Sequence, residues 1–226
     1  MPTRLRRTEM VERNREAVLA AARRVFIDKG YTGATLEAIA EEAGFSKGVM
    51  YSQFESKADL FLALLEQRIE ERAQQNERIA ANYAGLAGLQ RMLEVAGEDA
   101  AAEAAWARVL VEFRALASRD PNVNGRYAAA HARTVQRSAA ALERLFAKAQ
   151  LEPRFPPRVM AEFIHAFASG ATLETAANPA ALPFNVASQM LSSALGFIDP
   201  PHSATASTAD PRTQLSAESP NRRSAP

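Results

Sequence analysis

Apolar residues recur at helical spacing along most of this chain, and no segment alternates apolar and polar residues as a strand would. In the first clear segment, Val18, Ala21, Ala22, Val25 and Phe26 fall at positions i, i+3, i+4, i+7 and i+8. This spacing places them on one face of a helix. Similar stripes continue to about residue 198. The pattern therefore predicts an all-α fold.

Composition limits what such a helical chain can do. With 226 residues, of which 47% are hydrophobic, the chain can bury a sizeable core. The net charge is +1, so any surface that binds anions must be local. The absence of cysteine excludes disulfides, thiolate metal sites and a cysteine nucleophile. We expect no cofactor.

The sequence shows no targeting or membrane segment. Its first residues carry charge but are followed by no apolar run, so they do not form a signal peptide. The longest apolar stretches are shorter than the roughly 20 residues of a membrane span. We therefore expect a cytoplasmic protein without a membrane partner.

The chain divides into three predicted regions. Residues 8–70 contain short helices and turns, and residues 71–198 form a larger helical unit. Residues 199–226 include five prolines and five serines with few apolar side chains. This last composition is typical of a disordered tail.

Two short helices joined by a turn are predicted within the first region. Thr35 is placed to cap the helix TLEAIAEEA, and Gly44 can take the positive φ of the turn after it. Ser46 is placed to cap the segment KGVMYSQF, and Ser56 to cap a long helix. The arrangement predicts a helix-turn-helix.

The second short helix would pack Met50 and Phe54 on the first and expose a small polar surface. Such a surface suits the major groove of DNA. Helix starts also present free N–H groups and partial positive charge to phosphates. The predicted contacts of these two kinds are Ser46, Lys47, Gly48, Val49 and Ser52 on the helix, with Thr35, Tyr51 and Lys57 around it.

The run AARRVFIDKGYTGATLEAIAEEAGFSKGVMYSQFESKADLFLALL resembles the DNA-binding domain of TetR-family transcriptional regulators. The matching elements keep a fixed order and spacing: Gly30-Tyr31, the Thr35 cap, Ala43-Gly44-Phe45, Ser46-Lys47-Gly48, Tyr51-x-x-Phe54 and Ser56-Lys57. The remaining chain resembles the family only in its helical layout. Gln53 departs from the commonest pattern, in which this position often carries histidine or another aromatic or amide side chain.

The resemblance implies a regulator that binds a palindromic operator in double-stranded DNA as a homodimer. It would most often be a repressor, and a small apolar or amphipathic ligand would release it. Tyr31 and Gln53 join the predicted phosphate contacts. Five of these contacts also have a purely structural alternative: Thr35 as a plain cap, Lys47 or Lys57 as a solvated lysine, and Tyr31 or Tyr51 as packing residues.

A ligand cavity and a dimer interface are expected in the second region. Candidate pocket residues are Met92, Trp106, Phe113 and Phe167, with Arg114 and His131 to orient a polar group. Ordinary core packing is the alternative for each. A metal site at His131 and His165 is not expected. A helix apolar on two faces needs two partners, which predicts an interface at Phe163, Phe167, Gly170, Leu191 and Leu195.

A second interpretation belongs to another class of protein. A helical small-molecule carrier or enzyme that has lost DNA binding would share the same periodicity and near-neutral charge. No serine, histidine and acid lie at a spacing that indicates nucleophilic catalysis, so we do not predict an enzyme. The two interpretations differ in the roles they give Lys47, Tyr51 and Lys57.

Overall fold

The computed structural model describes residues 7–97, 100–178, 182 and 184–195, and the predicted tail at 199–226 lies outside these residues. Within the described ranges the chain is helical and contains no strand, which confirms the predicted fold class. The helices are α1 (Arg7–Gly33), α2 (Leu36–Ala43), α3 (Lys47–Gln53), α4 (Lys57–Asn82), α5 (Gly85–Gly97), α6 (Ala100–Ala117), α7 (Pro121–Ala149), α8 (Pro157–Ala177) and α9 (Phe184–Ala194).

The predicted capping residues begin their helices. The hydroxyl of Thr35 accepts a hydrogen bond from the Ala38 N–H at 3.1 Å, and that of Ser46 accepts one from the Val49 N–H at 3.4 Å. Ser56 caps α4 in the same way. These bonds satisfy N–H groups that have no partner within the helix.

Two glycines adopt the positive φ that their turns require. Gly44 ends α2 at φ 72° and ψ 25°. Gly30 lies at φ 70° and ψ 171°, a kink inside α1 that separates the long helical stretch from its last residues. The backbone at Gly30 is in a region that is essentially restricted to glycine.

A first hydrophobic cluster joins α1–α4 to parts of α6 and α7. Phe26, Phe61 and Phe113 are almost fully buried in it, and the rings of Phe61 and Phe113 are 4.4 Å apart. Trp106 stacks on Phe61 at 5.3 Å. The predicted boundary at residue 70 falls inside α4, and this cluster includes residues from both sides of it.

A second cluster is built from α4, α5, α7, α8 and α9. Its most buried members include Leu89, Leu145 and Met160. Leu191 and Leu195 of α9 also belong to it. In the described part of the chain, no helix is both long enough and apolar enough to cross a membrane.

A ladder of polar contacts fixes α4 beside α7. Asp59 pairs with Arg126, Glu66 with Arg133 at 2.7 Å, and Glu70 with Arg137 at 3.2 Å. Lys148 donates to the Ala81 carbonyl at 2.6 Å. All four pairs are separated by 67 residues, so the two helices run parallel and in register. We call these four pairs the α4–α7 ladder.

Candidate nucleic-acid interface

One side of α3 is buried and the other is open. Met50 is fully buried and Phe54 is 3% exposed, and Ile39 and Ala40 of α2 lie in the same hydrophobic cluster. The side chains on the opposite side are exposed or half-buried. With the Thr35 cap they form what we call the α2–α3 face: Thr35, Ser46, Lys47, Gly48, Val49, Tyr51 and Ser52.

Gly48 lies in the open part of this face. A Cβ atom added there would lie 3.9 Å from the Ser46 hydroxyl, which is ordinary contact. Because glycine inside a helix costs about 1 kcal/mol relative to alanine, packing within the chain does not explain its presence. The residue leaves the backbone accessible to an approaching partner.

Two side chains of the α2–α3 face converge on one carboxylate. The Tyr51 hydroxyl donates to Glu37 Oε1 at 3.0 Å, and the Lys47 ammonium lies 3.9 Å from the same oxygen. We call Glu37, Lys47 and Tyr51 the Glu37 cluster. Hydrogen bonds from its own backbone N–H and from Tyr51 lower the pKa of the Glu37 carboxyl, and that carboxylate raises the pKa of Tyr51.

Lys57 has a different position from the one predicted. Its ammonium donates to the carbonyls of Tyr31 at 2.8 Å, Thr32 at 3.2 Å and Ala34 at 2.8 Å. An ammonium group has three donors, so none remains for a phosphate. Burial lowers the pKa of Lys57, and the charge of Glu112 opposes this. These bonds favour the structural alternative for Lys57 at the end of α1, and its phosphate contact stays a prediction.

Tyr31 is also a structural residue. It is 7% exposed, and its ring packs against Phe26, Phe61 and Phe113 at centroid distances of 5.7, 5.3 and 5.1 Å. Burial and the charge of Asp59 raise its pKa to about 12. The ring is held in the core, which favours the alternative of a packing residue, and the phosphate contact of Tyr31 stays a prediction.

Glu112 completes this second group. Its carboxylate accepts the Thr32 N–H at 3.1 Å and lies beside Gly30, where an added Cβ would be 2.8 Å from Oε1. We call Tyr31, Lys57 and Glu112, with the backbone of residues 30–34, the α1–α2 junction. Because Glu112 belongs to α6, this junction links the N-terminal helices to the rest of the chain.

Gln53 faces inward at the end of α3. Its side-chain oxygen is buried and has no hydrogen-bond partner. It lines a cleft of about 560 Å³ that also includes Arg15, Asp59, Arg126 and other residues of α1, α4 and α7. A contact with phosphate would instead use the amide NH₂ group, which donates, so the predicted phosphate contact of Gln53 stays a prediction. A second cleft of about 750 Å³ lies between α1 and α4.

Four of the six predicted ligand residues are divided between the two hydrophobic clusters. Trp106 and Phe113 are packed in the first hydrophobic cluster, whereas Met92 and Phe167 border the second. Arg114 lies over the Tyr127 ring at 5.4 Å. Neither cleft described above is lined by any of the six. A common ligand pocket for the six residues stays a prediction.

His131 lies in a row of rings inside the C-terminal half. It stacks on Tyr127 at 6.0 Å and contacts His165 at 6.1 Å. The His165 ring lies 3.1 Å from the Ser138 hydroxyl, and burial with the nearby His131 and Arg72 lowers its pKa to about 4. Among the described residues, no group of three or more histidine, cysteine or acidic side chains is placed to hold a metal ion.

An apolar surface runs along α8 and α9. Phe163 is 46% exposed and stacks on Phe167, and Gly170 faces open space. Leu191 and Leu195 are instead 5% and 3% exposed, so they pack inside the chain, and their interface role stays a prediction. The α8–α9 face, as we call it, consists of Val159, Phe163, Leu173, Val186 and Met190.

Sequence reasoning missed Glu37 and Glu112. Glu37 lies in the first turn of α2, where an acidic residue is common because of the helix dipole. Its position two residues after the Thr35 cap was the available signal. Glu112 contacts a backbone N–H that is 80 residues away, and nothing local in the sequence indicates this pairing.

Comparison with known families gives two matches along the chain. The profile of bacterial regulatory proteins of the tetR family matches residues 18–64. That of the C-terminal domain of BetI-type transcriptional repressors matches residues 85–198, which is half of the chain. The matched ranges cover the α2–α3 face and most of the helices that follow it.

Individual relatives are also transcriptional regulators. The activator FasR of Mycolicibacterium smegmatis is 42% identical over 59 residues, 26% of this chain and 27% of the relative. The repressor AcnR of Corynebacterium diphtheriae is 32% identical over 120 residues, 53% of this chain and 58% of the relative. This chain therefore spans less than two thirds of each of these relatives.

A solved structure shows the same fold. A transcriptional regulator from Saccharomonospora viridis in complex with choline superposes with a TM-score of 0.66 at 18% identity, covering 84% of this chain and all of the other. At this identity the likeness concerns the fold alone. Together the family matches support a regulator over a helical carrier or enzyme.

Proposed function

This chain belongs to the TetR family of bacterial regulatory proteins, and from that premise we propose that it binds operator DNA as a homodimer and represses transcription. A small molecule would release it from the operator. The observation that carries the proposal is the division of α3 into a side buried at Met50 and Phe54 and an open polar side.

The open side has the properties of a helix that enters a major groove. The exposed residues are small or carry hydrogen-bonding groups, with one cation at Lys47. Gly48 permits close approach of the backbone, and the Ser52 hydroxyl, which donates to the Val49 carbonyl at 2.8 Å, can still accept. We assign base contacts to this helix and phosphate contacts to Thr35 and Tyr51 beside it.

Selection of bound sequences from a randomised duplex library tests the proposal directly. We expect enrichment of a two-fold symmetric site whose half-site centres are about 34–36 Å apart or a multiple of that distance. Wild-type protein that is folded and dimeric but enriches no sequence would overturn it. In vitro transcription from a promoter that overlaps the selected site then separates repression from activation.

The homodimer rests on the α8–α9 face. Five large apolar side chains of α8 and α9 are between 40% and 58% exposed, and exposed apolar patches on soluble proteins often bind a partner. A second copy of the chain would cover this face, with Gly170 allowing close approach of the helices. A stable interface of this kind buries more than about 1,200 Å² in total.

A charge placed on the α8–α9 face tests this assignment. Met190→Arg should convert the dimer to a monomer in sedimentation velocity at micromolar concentration. Leu116→Arg is the matched control, because Leu116 is 43% exposed but lies on α6, outside the face. Dimers that persist in Met190→Arg and Phe163→Arg would remove this surface from the proposal.

The last part of the proposal is that a small molecule releases the protein from its operator. It is supported by the BetI-type match over residues 85–198 and by the choline complex of a protein with the same fold. α4 would carry the response, because it packs in the N-terminal cluster and is joined to α7 by the α4–α7 ladder. Titration of the protein–operator complex with choline and with a saturated fatty acyl-CoA, read by fluorescence anisotropy, tests two contrasting ligand chemistries.

A further inference from the structure

We propose that Glu37 is a specificity-determining residue of the DNA interface: it weakens binding to unmatched DNA while it holds Lys47 and Tyr51 in place for a matched site. The inference rests on the proposed DNA-binding function and adds a role for a residue that need not touch DNA. It starts from one carboxylate oxygen that lies within 3.0 Å of the Tyr51 hydroxyl and 3.9 Å of the Lys47 ammonium.

The Glu37 carboxylate uses donors that a phosphate would use. Phosphate oxygens and carboxylate oxygens accept the same charge-assisted hydrogen bonds from lysine and tyrosine. A duplex that binds through Lys47 and Tyr51 must therefore displace Glu37 or bring its phosphates next to a negative charge. The side chains are 42% exposed for Glu37 and 69% exposed for Lys47, so this competition takes place at the surface.

The cost is not the same for matched and unmatched DNA. Binding to unmatched DNA consists almost entirely of phosphate contacts, so it bears the full penalty of the carboxylate. A matched complex fixes α3 against base edges and needs its side chains in defined positions. In the free protein, the hydrogen bond from Tyr51 to Glu37 and the ion pair with Lys47 already hold these side chains near those positions, which reduces the ordering that binding requires.

The fold offers a matched control on the same helix. Glu42 also lies on α2 and is 44% exposed, but it pairs with Arg24 of α1 at 2.6 Å. Glu37→Gln and Glu42→Gln remove the same charge from the same helix. Only the first removes it from the Glu37 cluster.

The experiment measures dissociation constants of wild type and both variants for the selected operator and for a random-sequence duplex, at 0.15 M salt. Glu37→Gln should bind the random duplex about fivefold more tightly, the factor expected for one surface charge pair. Its affinity for the operator should change less than about twofold, because gained attraction and lost ordering oppose each other. Glu42→Gln should change neither.

A second variant separates charge from position. Glu37→Asp keeps the charge but shortens the side chain, so it should bind random DNA as wild type does and lose affinity for the operator. Equal strengthening by Glu37→Gln and Glu42→Gln would show an effect of net charge alone and overturn the proposal. So would lost operator affinity in Glu37→Gln with unchanged random binding, which indicates direct base contact. Wild type that binds no duplex would instead overturn the proposed function, and this inference with it.

Discussion

The Glu37 cluster and the α1–α2 junction contain the same three residue types, a lysine, a tyrosine and a glutamate. In the Glu37 cluster, Lys47 is 69% exposed at the side chain and Tyr51 is 51% exposed. In the junction, Tyr31 is buried and Lys57 gives its three donors to backbone carbonyls. The comparison shows that Ser-Lys at a helix start does not identify a DNA contact by itself. Burial of the neighbouring aromatic ring decides the role.

The largest difference between the two groups should appear in the Lys57→Met variant. It leaves three carbonyls at the junction without their donor, so the free energy of unfolding should fall by about 3 kcal/mol. Lys47→Met should stay within about 0.5 kcal/mol of wild type, as exposed substitutions usually do. Urea denaturation of both variants measures the difference, and equal losses would contradict the distinction drawn here.

The buried tyrosine of the junction should make the stability of the fold depend on pH in the alkaline range. The pKa of Tyr31 is about 12 in the folded chain and about 10 in the unfolded chain. The unfolded state therefore releases its proton first, and stability is lost as pH rises from 10 to 12, by up to about 2.7 kcal/mol. Tyr31→Phe should flatten this part of the pH–stability curve. A Tyr31→Phe curve that parallels the wild-type curve would contradict this role of Tyr31 in the pH dependence of stability.

Backbone geometry gives a third contrast, between Gly30 and Gly48. Gly30→Ala should cost about 2 kcal/mol, because φ is 70° and the new Cβ would lie 2.8 Å from Glu112 Oε1. Gly48→Ala should stabilise the fold by up to about 1 kcal/mol and weaken operator binding, because a methyl group enters the proposed groove contact. Thermal unfolding and anisotropy measure the two effects. A stable Gly30→Ala variant would mean that the junction relaxes around the methyl group.

The smallest predicted effect concerns the two tyrosine hydroxyls in DNA binding. Tyr51→Phe should lose one hydrogen bond to phosphate, about 1 kcal/mol or fivefold in operator affinity, with little change in stability. Tyr31→Phe should bind the operator within about twofold of wild type at pH 7. If Tyr31→Phe were the weaker binder, the roles proposed for these two tyrosines would have to be reversed.

The helix boundaries could be predicted because their signals are local. Thr35, Ser46 and Ser56 each bond an N–H three residues away, and Gly44 closes α2 with its own φ. The all-α fold and the two-sided character of α3 follow from short-range periodicity in the same way. For this reason the sequence was sufficient for the architecture and for the candidate face.

Roles that depend on distant partners could not be predicted. The Lys57 ammonium donates hydrogen bonds to carbonyls that are 23 to 26 residues away in the sequence. The Glu112 carboxylate accepts one from an N–H group that is 80 residues away. Met190 and Leu191 are neighbours on α9, but Leu191 belongs to the second cluster and Met190 is 58% exposed. Packing of α9 against other helices, such as α5, decides this difference.

The α4–α7 ladder limits how the sequence of this protein can change in length. Its four pairs keep one separation of 67 residues over 23 residues of each helix. One residue inserted between Asp59 and Ala81 turns every later partner by about 100° around α4, away from its arginine or lysine. The contacts of the ladder are kept after such an insertion only if α7 also gains one residue between Arg126 and Lys148. Two segments far apart in the chain are therefore bound to lengthen or shorten together.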